Sequence, residues 1–248
     1  GYIWQFANGL DGMFIPKISD MNKNNANSNE YTNLMIKVGR IQLLFVGFII
    51  IGFLALGRGF INDVWKLHDS STSYDSSYFV ALFLLLPCLI TFTQQIGDTI
   101  HIVRGNIKYI SISTIVTAVI TIILSFTLTY IFPNYAAIMA AIAVFIGKIF
   151  GMIIVSNVFY SKILNINLKK FYINCHLKII PSLLVSLLFG ILLDKLIPNT
   201  SIVFFGFKVV IICAFYLIAV WKFNLNEFEK TQIKNIIKPI INYIKSSS

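Results

Sequence analysis

Apolar runs of about 20 residues recur along this chain, separated by shorter polar stretches. At 1.5 Å per residue, a helix of that length crosses a hydrocarbon core of ~30 Å. The pattern predicts spans over ~1–18, ~41–61, ~78–97, ~107–131, ~135–159, ~178–197 and ~202–221. The runs lack the period-two alternation of a membrane barrel strand, and open strands cannot satisfy their backbone in lipid. The expected fold class is therefore all-α, a polytopic membrane helical bundle. Residue 1 already lies inside an apolar segment, with no initiator Met and no signal peptide before it, so the first span is read as truncated. After the last span comes an amphipathic stretch over 224–245. Leu225, Phe228, Ile233, Ile236, Ile240 and Ile244 fall roughly on one helical face, and Glu227, Lys230, Lys234, Lys238 and Lys245 mostly on the other. That is either a helix lying in the inner interface, kinked at Pro239, or a frayed polar tail.

Composition agrees with the pattern: 57% of the 248 residues are hydrophobic and 12% are charged, against about 25% charged in a soluble domain. A net charge of +10 would point to nucleic acid in a soluble protein. Here the basic residues sit between apolar runs, so topology accounts for them and no nucleic-acid partner is expected. The connection 17–40 holds Lys17, Lys23, Lys37 and Arg40; 62–77 is acidic, with Asp63, Asp69 and Asp75 against Lys66. Arg104 and Lys108 follow in 98–108, the turn at Pro133-Asn134 is uncharged, and 160–178 carries Lys162, Lys169, Lys170 and Lys178. The connection 194–201 is balanced and the tail is lysine-rich. Basic and poor connections thus alternate, as the positive-inside rule requires of seven crossings. The expectation is a plasma-membrane protein whose residue 1 starts near the outer face and whose C-terminus is cytoplasmic. Cys88, Cys175 and Cys213 lie far apart, with neither metal-ligand spacing nor a disulfide framework. They read as small packing residues.

Polar residues inside the spans carry the candidate chemistry. At 100° per residue, Trp4, Gln5, Asn8, Asp11 and Gly12 share one face of the first helix, and Ile3, Phe6, Leu10, Met13 and Phe14 the other. An intramembrane carboxylate costs several kcal/mol unless it faces water or a partner. The stripe points to a helix lining a water-filled cavity; Asp11 alone fits equally well as a cap or pair near the interface. Pro16 is expected to bend or end this helix. Lys148, in "FIGKIFG", sits midway along its span, ~18–20 Å from either end, with a stem too short to snorkel fully. Ala137, Ala141, Val144 and Gly151 share its face, which leaves room beside a cation for a ligand. The alternatives are a structural pair with a carboxylate such as Asp11, or a misplaced span. Lys208 is expected to snorkel to the outer interface. Gln94, Gln95 and Asp98 are read either as lining the cytoplasmic mouth or as marking the interface, Pro87 as a mid-span break, and His101 and His176 as loop residues. No nucleotide loop, metal pattern or nucleophile–base spacing stands out. The sequence argues for transport or binding over catalysis, without a cofactor.

Several stretches carry a resemblance. "GLDGMFIPKIS" resembles the small-residue helix ending in Pro-x-Ile-Ser that opens the second half of bacterial polysaccharide flippases, relatives of the multidrug and toxin extrusion transporters and the lipid II flippase. "KVGRIQLLFVGFIIIGFLALGRGFINDVW" is similar to their next unit, and "HIVRGNIKYISISTIVTAVITIILSF" to the loop and helix in which Gly-x-x-Lys-Tyr precedes a span. "LNEFEKTQIKNII" resembles their cytoplasmic ending. Pro133-Asn134-Tyr135-Ala136-Ala137 departs from the family's glycine-rich turn. The resemblance implies two helical lobes around a cavity that opens alternately to each side. The implied substrate is undecaprenyl-diphosphate-linked oligosaccharide, moved from the inner to the outer leaflet for surface polysaccharide synthesis. On that view residues 1–160 form the second lobe, 161–222 two additional transmembrane helices, and 223–248 a cytoplasmic tail. The N-terminal lobe would be a missing partner beside membrane lipid. The implied cavity residues are Lys148, Gln5, Asn8, Asp11 and Trp4. A cation-coupled multidrug antiporter of the same fold and a non-transporting membrane scaffold or remnant are the competing expectations.

Overall fold

A computed structural model describes residues 2–64, 75–197, 202–225 and 230–231. The described residues form seven helical stretches and no strand: α1 Tyr2–Lys23, α2 Ser28–Asn62, α3 Ser76–Val103, α4 Ile107–Ile131, α5 Pro133–Lys162, α6 Leu168–Leu196 and α7 Ile202–Asn224. Six of them, α2 to α7, are long and apolar enough to cross a membrane. The fold is an all-α, multi-pass membrane bundle. Helix α1 forms where the first span was expected but is not among those six, because Gln5, Asn8, Asp11, Lys17, Asp20 and Lys23 dilute its apolar face. The acidic connection around Ser71, the turn at Asn199 and nearly all of the expected tail helix lie outside the described residues.

Two expected connections shrink because local chain signals cap helices inside them. The stretch 17–40 is helical except for a turn. Asn25 takes a left-handed φ of 52°, Ala26 N–H donates to the Met21 carbonyl at 2.9 Å and Asn25 N–H to that of Asn22 at 3.2 Å. This is the paired 6→1 and 5→2 closure of a helix C-terminus. Asn27 then caps α2: its Oδ1 accepts from Glu30 N–H at 3.0 Å, and its Nδ2 donates to the Glu30 carboxylate at 3.2 Å, a side-chain N-cap. Lys37 and Arg40 therefore lie on α2 and not in a loop. The connection 160–178 likewise reduces to 163–167, with Asn167 Oδ1 accepting from Lys170 N–H at 2.9 Å. Pro16 does not end α1, which continues through it to Lys23. The carbonyl that Pro16 frees belongs to Gly12. Pro87 does break α3, which loses regular helix at Leu86–Pro87 and tightens to a 3-10 turn over Phe92–Gln94.

The long helix α2 is the axis of the bundle, with α3, α6 and α7 packed around it. Small residues set the approach distances. A Cβ at Gly39 would meet the Thr93 carbonyl oxygen at 2.9 Å and Cys175 Sγ at 3.3 Å; one at Gly47 would meet Leu183 at 2.9 Å. Gly190 on α6 lies equally close to Ala55. Ile18, Met35, Leu43, Ile96, Ile100, Tyr160, Phe171 and Ile179 join α1, α2, α3, α5 and α6 in one core. Helix α7 is tied in by Tyr216, whose hydroxyl donates to the Leu44 carbonyl at 2.6 Å. The hairpin α4–α5 sits at the side against α3, with Ile115, Ile122 and Phe126 of α4 facing outward to lipid.

Because successive helices reverse direction, the start of α2, the ends of α3, α5 and α7, and the start of α6 gather at one end. Asn167 N–H donates to Thr32 Oγ1 there at 3.1 Å, and the Arg104 guanidinium lies 4.6 Å over the Tyr31 ring.

Candidate functional site

Lys148 is the last residue of the regular α-helix in α5; Ile149–Val155 continues as a π-helix. A wider turn of this kind inserts backbone into an α-helix and recurs at functional sites. Neighbouring glycines press this segment against α4. A Cβ at Gly147 would collide with the Thr121 side chain and approach the Thr117 carbonyl oxygen to 2.9 Å; one at Gly151 would collide with Thr117 and approach the Ser113 carbonyl oxygen to 2.6 Å. The glycines take the α4 side, and helical spacing sets Lys148 off that face, while the same helix packs against α3. There Phe145 meets Phe83 edge-on at 5.8 Å, as α5 packs against α3. Lys148 is half-buried, mid-span, and forms no ion pair with a carboxylate among the described residues.

Two to three turns along α5, polar side chains interlock three helices. Gln94 Nε2 on α3 donates to Asn157 Oδ1 at 2.7 Å and to the Tyr172 hydroxyl at 2.6 Å, and Asn157 Nδ2 donates to the same hydroxyl at 2.7 Å. Thr93 Oγ1 pairs with His176 Nε2 at 3.2 Å, and that ring packs 5.0 Å from Tyr172. One turn on, the Tyr160 hydroxyl donates to Asp98 Oδ1 at 2.7 Å, and His101 stacks on the Tyr160 ring at 5.7 Å. Each polar atom satisfied inside a span avoids a desolvation cost of about 1–3 kcal/mol. The network therefore holds α3, α5 and α6 in one relative position.

These residues correct three expectations. Gln94 and Asp98 do not end the helix but are bonded across helices, and α3 continues past them to Val103 because Phe92, Ile96, Ile100 and Val103 carry the apolar stripe on. His101 and His176 are buried helix residues, not loop residues. Lys208 does not snorkel. It is fully buried, and its Nζ donates to Asp194 Oδ1 of α6 at 2.8 Å. A carboxylate one helix away satisfies the ammonium more directly than a stretched stem. The interlocking residues were detectable as polar groups at helical spacing within long apolar segments.

Of the residues expected to line a cavity, Gln5 is exposed on α1, and the side chains of Trp4, Asn8 and Asp11 lie outside the described residues. Helix α1 packs along Gln95–Val103, while the α5 segment that ends at Lys148 packs along 75–85, so the two border α3 at different levels. Three clefts stand out among the described residues, and neither Gln5 nor Lys148 lines them. No protein-family model, curated protein or solved structure matches the chain.

Proposed function

We propose that this chain is part of a membrane transporter that flips undecaprenyl-diphosphate-linked oligosaccharide from the inner to the outer leaflet, in a bacterial plasma membrane with its C-terminus cytoplasmic. The observation that carries the reading is Lys148: a half-buried ammonium at mid-span, beside a π-helix and a proline break, with no carboxylate pairing it among the described residues. A charge kept at such depth is a functional-site candidate by default, since a neutral residue there is cheaper. A compact cation suits a diphosphate. Alternating access asks for helices that can take two arrangements of similar free energy and for no covalent chemistry. The broken helix α3 and the π-helix of α5 supply bending points.

In the full-length transporter, Lys148→Met leaves membrane expression intact and lowers surface-glycan complementation at least tenfold, whereas Lys148→Arg keeps part of it. Normal complementation by Lys148→Met would defeat the reading. One observation favours the competing cation-coupled antiporter: Asp98, a carboxylate within a span and hydrogen-bonded to Tyr160. A proton- or sodium-dependent export of cationic drugs that is lost in Asp98→Asn and kept in Lys148→Met would select it.

A further inference from the structure

Two irregular turns in different helices lie side by side. Helix α3 is regular up to Leu85, loses its helix at Leu86–Pro87 and resumes at Cys88. Helix α5 is regular over Ala136–Lys148, π-helical over Ile149–Val155 and regular again over Ser156–Lys162. The two helices run in the same direction, and Cys88–Thr91 packs against Ile149–Val155. The proline break and the π-helix therefore face each other at one level. Breaks of these two kinds are where helices bend. What joins the helices differs on the two sides of that level. On the basic side, Gln94, Asn157 and Tyr172 share hydrogen bonds of 2.6 and 2.7 Å, and Tyr160 donates to Asp98 at 2.7 Å. A Cβ at Gly97 would meet the Tyr160 ring at 2.7 Å. Such bonds are directional, and breaking them inside a span leaves polar groups bare. On the other side, Ala136–Gly147 carries no polar side chain. It meets the first half of α3 through apolar surface, Phe83 on Phe145 included. Tyr78 ties that half to α2, but its hydroxyl reaches the Leu54 carbonyl only at 3.5 Å, long for a hydrogen bond. Apolar contacts part at little cost where lipid, equally apolar, fills the gap. Gly147 and Gly151 press α5 onto α4 at the level of the breaks, so α4 follows α5.

We propose that Leu86–Pro87 and Ile149–Val155 form one paired hinge, about which the first half of α3 and the α4–α5 hairpin tilt away from α2 while the hydrogen-bonded base stays fixed. The hinge belongs to the bundle itself and does not depend on what the protein carries. The test is pulsed dipolar spectroscopy between pairs of spin labels on the full-length protein in nanodiscs, with its native cysteines replaced by alanine. One pair, Ala137→Cys with Leu192→Cys, spans the upper level, where α6 packs along α2 and serves as the reference. The other, Lys162→Cys with Phe223→Cys, spans the base. All four positions are exposed. Expected is a distance distribution about twofold broader for the upper pair than for the base pair. Pro87→Ala restores an N–H for the Phe83 carbonyl and narrows the upper pair to the width of the base pair, whose unchanged distance shows that the variant is folded. Tyr172→Phe removes the hydroxyl that two amides share and broadens the base pair. An upper pair as narrow as the base pair in the wild-type sequence would overturn the hinge. An upper pair that stays broad in Pro87→Ala would place the motion elsewhere and overturn it as well. The readout is a distance and not transport, so the hinge and the substrate reading fail separately.

Discussion

At the residue scale, the ion pair between Lys208 and Asp194 joins the last two helices where neither charge was expected to need the other. Lys208 has no exposed surface, and Asp194 is 28% exposed. Removing one member of a buried pair leaves the other uncompensated, at a cost of roughly 3–5 kcal/mol, whereas replacing both by residues of similar volume is often neutral. Asp194→Asn is therefore expected to lower the thermal midpoint in detergent markedly, and Lys208→Met combined with Asp194→Asn to recover most of the loss. A midpoint for Asp194→Asn equal to wild type would mean that the lysine finds water, as a snorkelling residue does. Lys148 poses the opposite case. It lies deeper in its span than Lys208 does, yet lacks such a carboxylate among the described residues, which is why the two lysines receive different roles.

At the scale of elements, the hairpin α4–α5 depends on two glycines, since α4 is otherwise turned to lipid. Gly147→Val or Gly151→Val places methyl groups where Thr117, Thr121 and the Ser113 carbonyl already sit. Without a hydrophobic force between helices in lipid, association rests on this close packing. Each substitution is expected to abolish cross-linking of cysteines engineered at facing positions of α4 and α5; persistence of the cross-link would mean the glycines are not the contact. The six long helices were legible in the sequence because a ~20-residue apolar run has few other uses. Their ends were less so. Hydropathy fades at Lys37, Arg40, Gln94 and Asp98, yet the helices continue, because Asn27 with Glu30 caps one and the apolar stripe Phe92, Ile96, Ile100 carries the other. Polar residues inside a span look like its edge until cross-helix partners are known, and Gln94, Asn157 and Tyr172 come from three distant segments. Lys148 was legible as a mid-span charge, but its glycine-pinned direction and π-helix were not. Topology belongs to this scale as well. Reporter tags at Asn25, Asn167 and Ser248 are expected on the cytoplasmic side and tags at Ser71 and Asn199 outside, from the alternation of basic connections. A cytoplasmic signal at Ser71 would reverse the orientation of α2 and α3.

At the scale of the whole molecule, the described packing of α1 lies in its second half. Phe14, Ile18 and Met21 enter the core beside Ile96 and Ile100. Toward the other end Gln5, Gly9 and Gly12 are exposed, Met13 is 75% exposed, and nothing approaches Gly9 or Gly12 within 4 Å. In a bilayer the exposed Gln5 would meet hydrocarbon, and the polar face expected from the sequence includes Asp11. An aspartate at the centre of a span costs roughly 2.5–3.5 kcal/mol on insertion scales, and each unsatisfied amide adds to it. The membrane state of lowest free energy covers this face with another surface, and in the two-lobe arrangement that the resemblance implies, that surface would be the opposing lobe. Residues 1–248 expressed alone are therefore expected to flip no substrate and to run as aggregates or self-associated species after detergent extraction. Co-expression with the complementary lobe of a full transporter is expected to restore both a monodisperse size and surface-glycan complementation. Gln5→Leu combined with Asp11→Leu should improve the solitary chain's size profile while blocking transport in the complete protein, since it makes the face suited to lipid and unsuited to a cavity. A solitary chain that is monodisperse and complements a flippase deletion would instead mean that the exposed half of α1 is compatible with lipid and that no second lobe is needed.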